Sequence, residues 1–301
     1  MIQYVKRQHL DVAKYNHCIK HSVQSRIYAF SWYLDVVADH WEVLVLDDYK
    51  AVMPIPWRTK FFIKYVYPPF WLLELGVFSL EEKVAIEPFL TYLFEDYSFV
   101  ELRLNRALNF NHKESFITKE MQVLSLNSDY DFIVKNYRKD RRKDLVKATK
   151  SALKEKWGDS PEKLITLFKN NVGKRTPHIT KNDYTVLKKL ITICIEKKVG
   201  EILSIYDNEN AIVASGFFLK HQKEVVILVS STDFKNRKNG ANTYLIHSAI
   251  YKYQKNFEVF NFGGSSMQTI ANYFLSFGGE TKEYQQIKYN NLPFLLKFFK
   301  H

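Results

Sequence analysis

Between Val225 and Asn242 the sequence runs from an apolar, β-branched stretch, Val225-Val226-Ile227-Leu228-Val229, through polar Ser230-Ser231-Thr232-Asp233 into a basic loop. That loop, Lys235-Asn236-Arg237-Lys238-Asn239-Gly240-Ala241-Asn242, opens a pattern of Leu245, Ile246, Ala249, Ile250 and Tyr253 with helical spacing. A glycine and small residues at a helix start let several backbone N–H groups converge. The helix dipole and flanking cations then favour an anion there. The chemistry this suits is the holding of a phosphate-bearing carrier beside a sheet, with Arg237, Lys238, Asn239, Gly240, Ala241 and Asn242 as the cradle. The same residues also suit an ordinary strand-to-helix turn.

A second cationic group lies upstream. Lys135 to Lys156 holds ten Lys or Arg against Asp140, Asp144 and Glu155, a net charge of +7 out of +12 for the whole chain. On one helix, Ile133, Tyr137, Leu145, Ala148 and Ala152 would form an apolar stripe with Arg141 in its middle. Burying an arginine there is costly unless an anion meets it. Arg138 and Arg142 could share that anion, and a carboxylate within the protein would serve Arg141 equally well. A plain solvated face is the alternative for the lysines.

The elements that must position these groups read in order. Ser160-Pro161 starts one helix and Thr180-x-x-Asp183 caps the next, which stops at Lys197-Lys198-Val199-Gly200. Glu201–Tyr206, Ala211–Leu219 and Val225–Val229 form a strand meander. Glu258–Phe262 is a further strand, followed by Gly263-Gly264, a short helix through Phe274, and a last strand from Thr281 to Tyr289. The first half repeats the plan. Its strands are Trp41–Leu46, Ala51–Trp57 and Phe61–Tyr67, then a helix from Ser79 to Tyr97 bent at Pro88, then strands Ser98–Leu104 and Phe116–Leu126.

The order strand, glycine loop, helix, strand, helix, strand resembles the FemAB-like branch of the GNAT acyltransferase superfamily, including peptidoglycan aminoacyltransferases and BioF2-like domains. Asn136 to Lys143, Arg237 to Asn242, Asn261 to Gly264 and Ser276 to Gly279 carry the resemblance, which covers nearly the whole chain. Asn242 stands where the GNAT loop has a small residue. The position matching the family's tyrosine is Phe274, with Tyr273 beside it.

The resemblance implies an α/β (α+β) fold of two tandem GNAT-like lobes, each a mixed, mostly antiparallel sheet flanked by helices. The expected division is residues 1–127, a degenerate acceptor-shaping lobe, and 128–301, the acyltransferase lobe. It also implies direct attack of an acceptor amine on a carrier-bound acyl group, without an enzyme nucleophile. Backbone groups near Ser230 and Ser231 would stabilise the oxyanion, Asp233 would be the base and Tyr273 the acid. Arg138, Arg141, Arg142, Gly263, Gly264 and Ser265 are assigned to substrate. The donor is expected to be acyl-CoA, with aminoacyl-tRNA bound along Lys139, Lys143 and Lys147 as the alternative.

Composition bounds the remaining choices. Hydrophobic residues make up 46% and charged residues 25% of 301, enough for a sizeable core. The start lacks a secretory signal and no apolar run spans a bilayer, so a cytoplasmic location is expected. Cys18 and Cys194 give no disulfide framework, and His17 with His21 lacks a third ligand, so no metal is expected. No nucleophile-elbow or Walker-type loop is present. His247 reads as a helix-face residue, and the tail from Leu292 to Lys300 as packing on a sheet edge. A non-catalytic protein that binds nucleic acid or an anionic carrier lipid is the rival reading.

Overall fold

The computed structural model describes residues 1–105, 115–176, 178–263 and 267–294, without the side chains of Asn236 and Arg237. It divides into two units, Met1–Lys119 with Glu283–His301, and Glu120–Lys282. Residues from Glu283 onward go with the first unit because the chain's last strand pairs with β6 there.

In the first unit, β1 (Ile2–Lys6) pairs antiparallel with β2 (His40–Leu46) after α1 (Val12–His21) and α2 (Ser31–Val37). Next come β3 (Ala51–Lys60), β4 (Ile63–Val66), the short β5 (Phe78–Ser79), α3 (Glu87–Asp96) and β6 (Phe99–Arg103). Here the sequence expectation needs correction. Ser79 ends β5 instead of capping a helix, and its hydroxyl accepts the Glu81 N–H at 3.0 Å. The helix begins at Glu87, so Pro88 sits in its first turn, where its missing N–H costs nothing, and bends nothing.

The second unit starts its sheet with β7 (Phe116–Ser125), followed by α4 (Tyr130–Lys135), α5 (Lys139–Lys150) and β8 (Lys154–Trp157). The expected single basic helix is therefore two helices and a strand. The break has tertiary causes. Arg138 is extended and gives its N–H to the Ser276 carbonyl at 2.9 Å, while the Tyr137 ring packs edge-on against Phe277. Lys154–Trp157 pairs with Leu203–Tyr206. Ile133, Tyr137 and Ala148 of the expected stripe are nonetheless buried.

Then follow α6 (Pro161–Asn170), α7 (Lys181–Glu196), β9 (Gly200–Tyr206), β10 (Ile212–His221), β11 (Glu224–Thr232), α8 (Ala241–Tyr253), β12 (Val259–Asn261) and α9 (Gln268–Leu275). Ser160 caps α6 and the Thr180–Asp183 capping box opens α7, as their sequence signatures require. The strand order is β7-β12-β11-β10-β9-β8, antiparallel except for β11 with β12. Neighbouring residues of β10 face opposite sides. Phe217 meets the Cys194 side of Gly200, whereas Phe218 lies toward Leu245 of α8. The chain ends its described part with β13 (Glu280–Asn290), antiparallel to β6 in the first unit.

The start of α6 supplies a pH prediction. Asp159 is buried, which alone would raise its pKa. The Tyr206 hydroxyl, the Ser160 N–H and Lys163 outweigh burial and bring it down to about 2. The fold therefore favours the carboxylate. That stabilisation is complete above the ordinary carboxylate range and is lost as pH falls from there through about 2. Native stability should drop by about 2 kcal/mol over this interval on account of Asp159. Asp159→Asn, unfolded in urea across the same pH range, should flatten that limb.

Candidate active site

The sheet of the second unit opens where β11 and β12 part. Their parallel pairing covers only Glu224–Val226 with Val259–Asn261. β11 continues for six residues to Thr232, held on its other side by β10, with a bulge that leaves Leu228 unmatched. A bulge sharpens local twist and re-aims the strand. Beyond Val226 no described strand covers the β12-side edge of β11. Asn261 fixes the parting. Its side chain donates to Glu224 Oε1 at 2.8 Å and accepts the Gly263 N–H at 2.8 Å, and Gly263 turns the chain away at φ +78°.

At its far end β11 reaches a cavity of about 770 Å³ lined by Leu167, Asn171, Lys174, Arg175, Asp233 and Lys235, among others. Ser231 is buried and its hydroxyl donates to the Leu167 carbonyl at 3.3 Å. Asp233 accepts the Lys235 N–H at 3.1 Å and so caps the short 3₁₀ turn over Phe234–Asn239. Asn171 Oδ1 accepts the Phe234 N–H at 2.8 Å, and Arg175 lies 4.2 Å from the Phe234 ring centre. Lys174, Arg175 and Asn171 escaped the sequence reading. Asn171 follows α6 and precedes the 3₁₀ turn Val172–Arg175 that carries the two cations, and only the fold brings them to the end of β11.

The glycine loop does open a helix, as expected. Gly240 is left-handed at φ +82°, α8 starts at Ala241, and the Ala241 N–H is taken by Asn239 Oδ1 at 2.9 Å. What surrounds Gly240 was not foreseen. A Cβ there would lie 2.1 Å from the Asp144 carbonyl oxygen, so α5 rests directly on the start of α8. Close backbone packing accounts for this glycine without any phosphate.

Arg141 is turned into the same junction. Its guanidinium donates to Thr243 Oγ1 at 2.8 Å, pairs with Asp144 at 3.1 Å and Asp140 at 3.2 Å, and lies 4.5 Å from the Tyr273 ring centre. The anions it meets are thus carboxylates of its own helix. Asp144, ion-paired to Arg141 and Lys147, also accepts from the Thr243 hydroxyl in the first turn of α8 at 3.3 Å. Asp144 and Thr243 were missed. The Arg141–Asp144 spacing of three on a helix was the available signal. The Tyr273 hydroxyl lies 3.3 Å from Thr243 Oγ1, and burial pushes its pKa up to about 12, with Thr243 and Arg141 partly offsetting, so the phenol is neutral.

Arg138 is exposed and forked onto Asp140, and Arg142 is exposed. Lys238 is exposed at the loop. The Arg237 side chain, Gly264 and Ser265 lie outside the described residues, as does the tail from residue 295. His247 faces Tyr130, 2.9 Å from its hydroxyl to Nε2, and burial lowers its pKa.

No protein-family model and no curated protein matches the chain. Solved structures do. FemX aligns over 99% of this chain and 100% of its own at TM-score 0.69 and 10% identity. The fold is the FemAB-like, tandem GNAT one. A tandem GNAT protein of the clavulanic acid biosynthesis pathway aligns over 97% of this chain and 100% of its own at TM-score 0.54 and 7% identity. The C-terminal domain of a putative lysylphosphatidylglycerol synthetase from Agrobacterium fabrum covers 93% of this chain and 91% of its own at TM-score 0.59 and 10% identity. Among the described residues no helix is long and apolar enough to cross a membrane.

Proposed function

We propose that the chain is an acyltransferase in which an acceptor amine attacks an acyl group carried by a phosphate-bearing donor, and that this donor is an aminoacyl-tRNA. The observation that carries the transferase reading is the parting of β11 from β12. Along residues 227–232 alternate backbone groups of β11 point away from β10 and can align an extended acyl arm. N–H groups on that edge serve a developing oxyanion. Asp233, at the cavity beyond the strand, can take the amine's proton, and the neutral Tyr273 phenol is suited to donate one to a leaving group.

The donor preference rests on the start of α8. Gly240 is packed directly against the backbone of α5, so a pyrophosphate could approach it only if that helix moved. A carrier with phosphates spread along an exposed basic helix meets the protein without displacing α5. The first unit, with no comparable glycine loop, is assigned to shaping the acceptor side.

Incubation with a mixture of charged tRNAs and a panel of amine-bearing acceptors tests this directly. Transfer of label from tRNA to an acceptor is the expected result, reduced strongly by Tyr273→Phe. Label transferred from acetyl-CoA alone would overturn the donor assignment. Binding of tRNA without transfer would favour the non-catalytic rival.

A further inference from the structure

The cavity beyond β11 carries more positive charge than its own acids neutralise. Among the described residues that line it, Lys163, Lys174, Arg175 and Lys235 stand against Glu162 and Asp233. Both acids are engaged. Glu162 pairs with Lys188 at 2.7 Å, and Asp233 accepts the Lys235 N–H. Lys163 is held outside the balance by Asp159 at 3.3 Å and the Tyr206 hydroxyl at 2.8 Å. The side chains of Lys174, Arg175 and Lys235 meet no carboxylate among the described residues. On α5, by contrast, Arg138, Arg141 and Lys147 are each matched by Asp140 or Asp144.

The backbone that carries these three cations is clamped. Lys174 and Arg175 sit on the 3₁₀ turn Val172–Arg175, and Lys235 on the turn over Phe234–Asn239. Buried Asn171 ties the two turns to α6, donating to the Leu167 carbonyl at 2.9 Å while taking the Phe234 N–H. Gly173 lies so close to its neighbours that a Cβ would meet the Tyr184 hydroxyl and the Phe168 carbonyl. Arg175 lies over the Phe234 ring, which leaves its N–H groups for another acceptor. Like charges held together repel, and an anion between them removes that cost. Leu167, Ile212 and Phe234 add apolar lining, so the cavity suits a short organic stem with a charged end.

We propose that this cavity holds the acceptor by an anionic group, a carboxylate or a phosphate, set against Lys174, Arg175 and Lys235 while the amine meets Asp233. The acceptor is then a zwitterionic amine, in preference to a neutral amine or a polyamine. This rests on the acyl-transfer reading of Asp233, and the anion site is tested with no donor present.

The test is calorimetry of the full chain at low salt with ethanolamine, ethylenediamine, β-alanine and O-phosphoethanolamine. At least one of the two anionic probes should bind about tenfold or more tightly than ethanolamine, and the tighter of them tells carboxylate from phosphate. Ethylenediamine should bind no better than ethanolamine. Lys174→Gln with Lys235→Gln should weaken the anionic probes by about tenfold. Lys174→Glu with Lys235→Glu should turn the preference toward ethylenediamine. Both side chains are exposed, so the melting temperature should hold in each variant. Equal affinity of the native protein for ethanolamine and both anionic probes would overturn the proposal, as would an unchanged preference in the variants. So would loss of tRNA affinity in the variants with no effect on the probes, which would give these cations to the donor. Anion preference without label transfer from any donor would keep the anion site and overturn the acyl-transfer reading beneath it.

Discussion

Gly240→Val should destabilise the second unit by about 3–5 kcal/mol, the largest single-residue effect expected in this protein. Two costs combine. A Cβ would sit 2.1 Å from the Asp144 carbonyl oxygen and 3.2 Å from the Ala148 nitrogen, both backbone atoms that move only if α5 moves. Left-handed geometry at φ +82° adds the ordinary penalty for a residue with a side chain, and more for a β-branched one. Gly158 separates the two costs. It is left-handed at φ +71°, but nothing lies within 4 Å of its Cβ position. Gly158→Ala should therefore lose only about 1–2 kcal/mol. Urea unfolding of Gly240→Ala, Gly240→Val and Gly158→Ala measures the difference. If Gly240→Ala costs no more than Gly158→Ala, α5 is not seated on α8 as described, and the cradle would be open to a phosphate after all.

The same residue shows how far the sequence could be read. Gly240 at a helix start, the meander before it and the β12 strand after it were legible because each depends on local signals: β-branched runs, turn residues, caps and 3.6-residue spacing. The neighbour of Gly240 was not legible. Asp144 lies 96 positions earlier, and a glycine required by packing looks in sequence like one required by a ligand. The basic segment failed for the related reason that tertiary contacts decide a helix break. Lysines and arginines are good helix formers throughout Lys135–Lys156, yet burial of Tyr137 and the Arg138–Ser276 hydrogen bond stop the helix. Lys154–Trp157 is a strand through its antiparallel pairing with Leu203–Tyr206 of β9, a contact between segments about 50 positions apart. Likewise Ser79 carried a good capping pattern, and the pairing of Phe78 and Ser79 with β3 overrode it.

The second large effect concerns the donor and is read through salt. A tRNA that neutralises several protein cations releases counterions, so its affinity should fall steeply as salt rises, with a log–log slope of about 0.7–0.9 per phosphate contacted. The structure selects which cations to remove. Lys147, one of the three marked by sequence, is held by Asp144 at 2.8 Å, and Arg138 by Asp140 at 2.7 Å. Lys139, Arg142 and Lys143 are exposed on α5 and are the better choice. Replacing all three by alanine should leave the melting temperature unchanged, reduce the slope by about 2–3 and weaken tRNA binding by roughly 10²-fold at low salt. A coenzyme A thioester carries few charges, and its binding should respond to neither change. Filter binding of charged tRNA and calorimetry with acetyl-CoA, each at low and moderate salt in both proteins, decide between them. Tight, α5-independent binding of acetyl-CoA would mean that a pyrophosphate finds a place at α8 despite Asp144. In that case α5 must shift away from Gly240 on binding, because the Asp144 carbonyl and the Ala148 nitrogen fill the space beside that glycine.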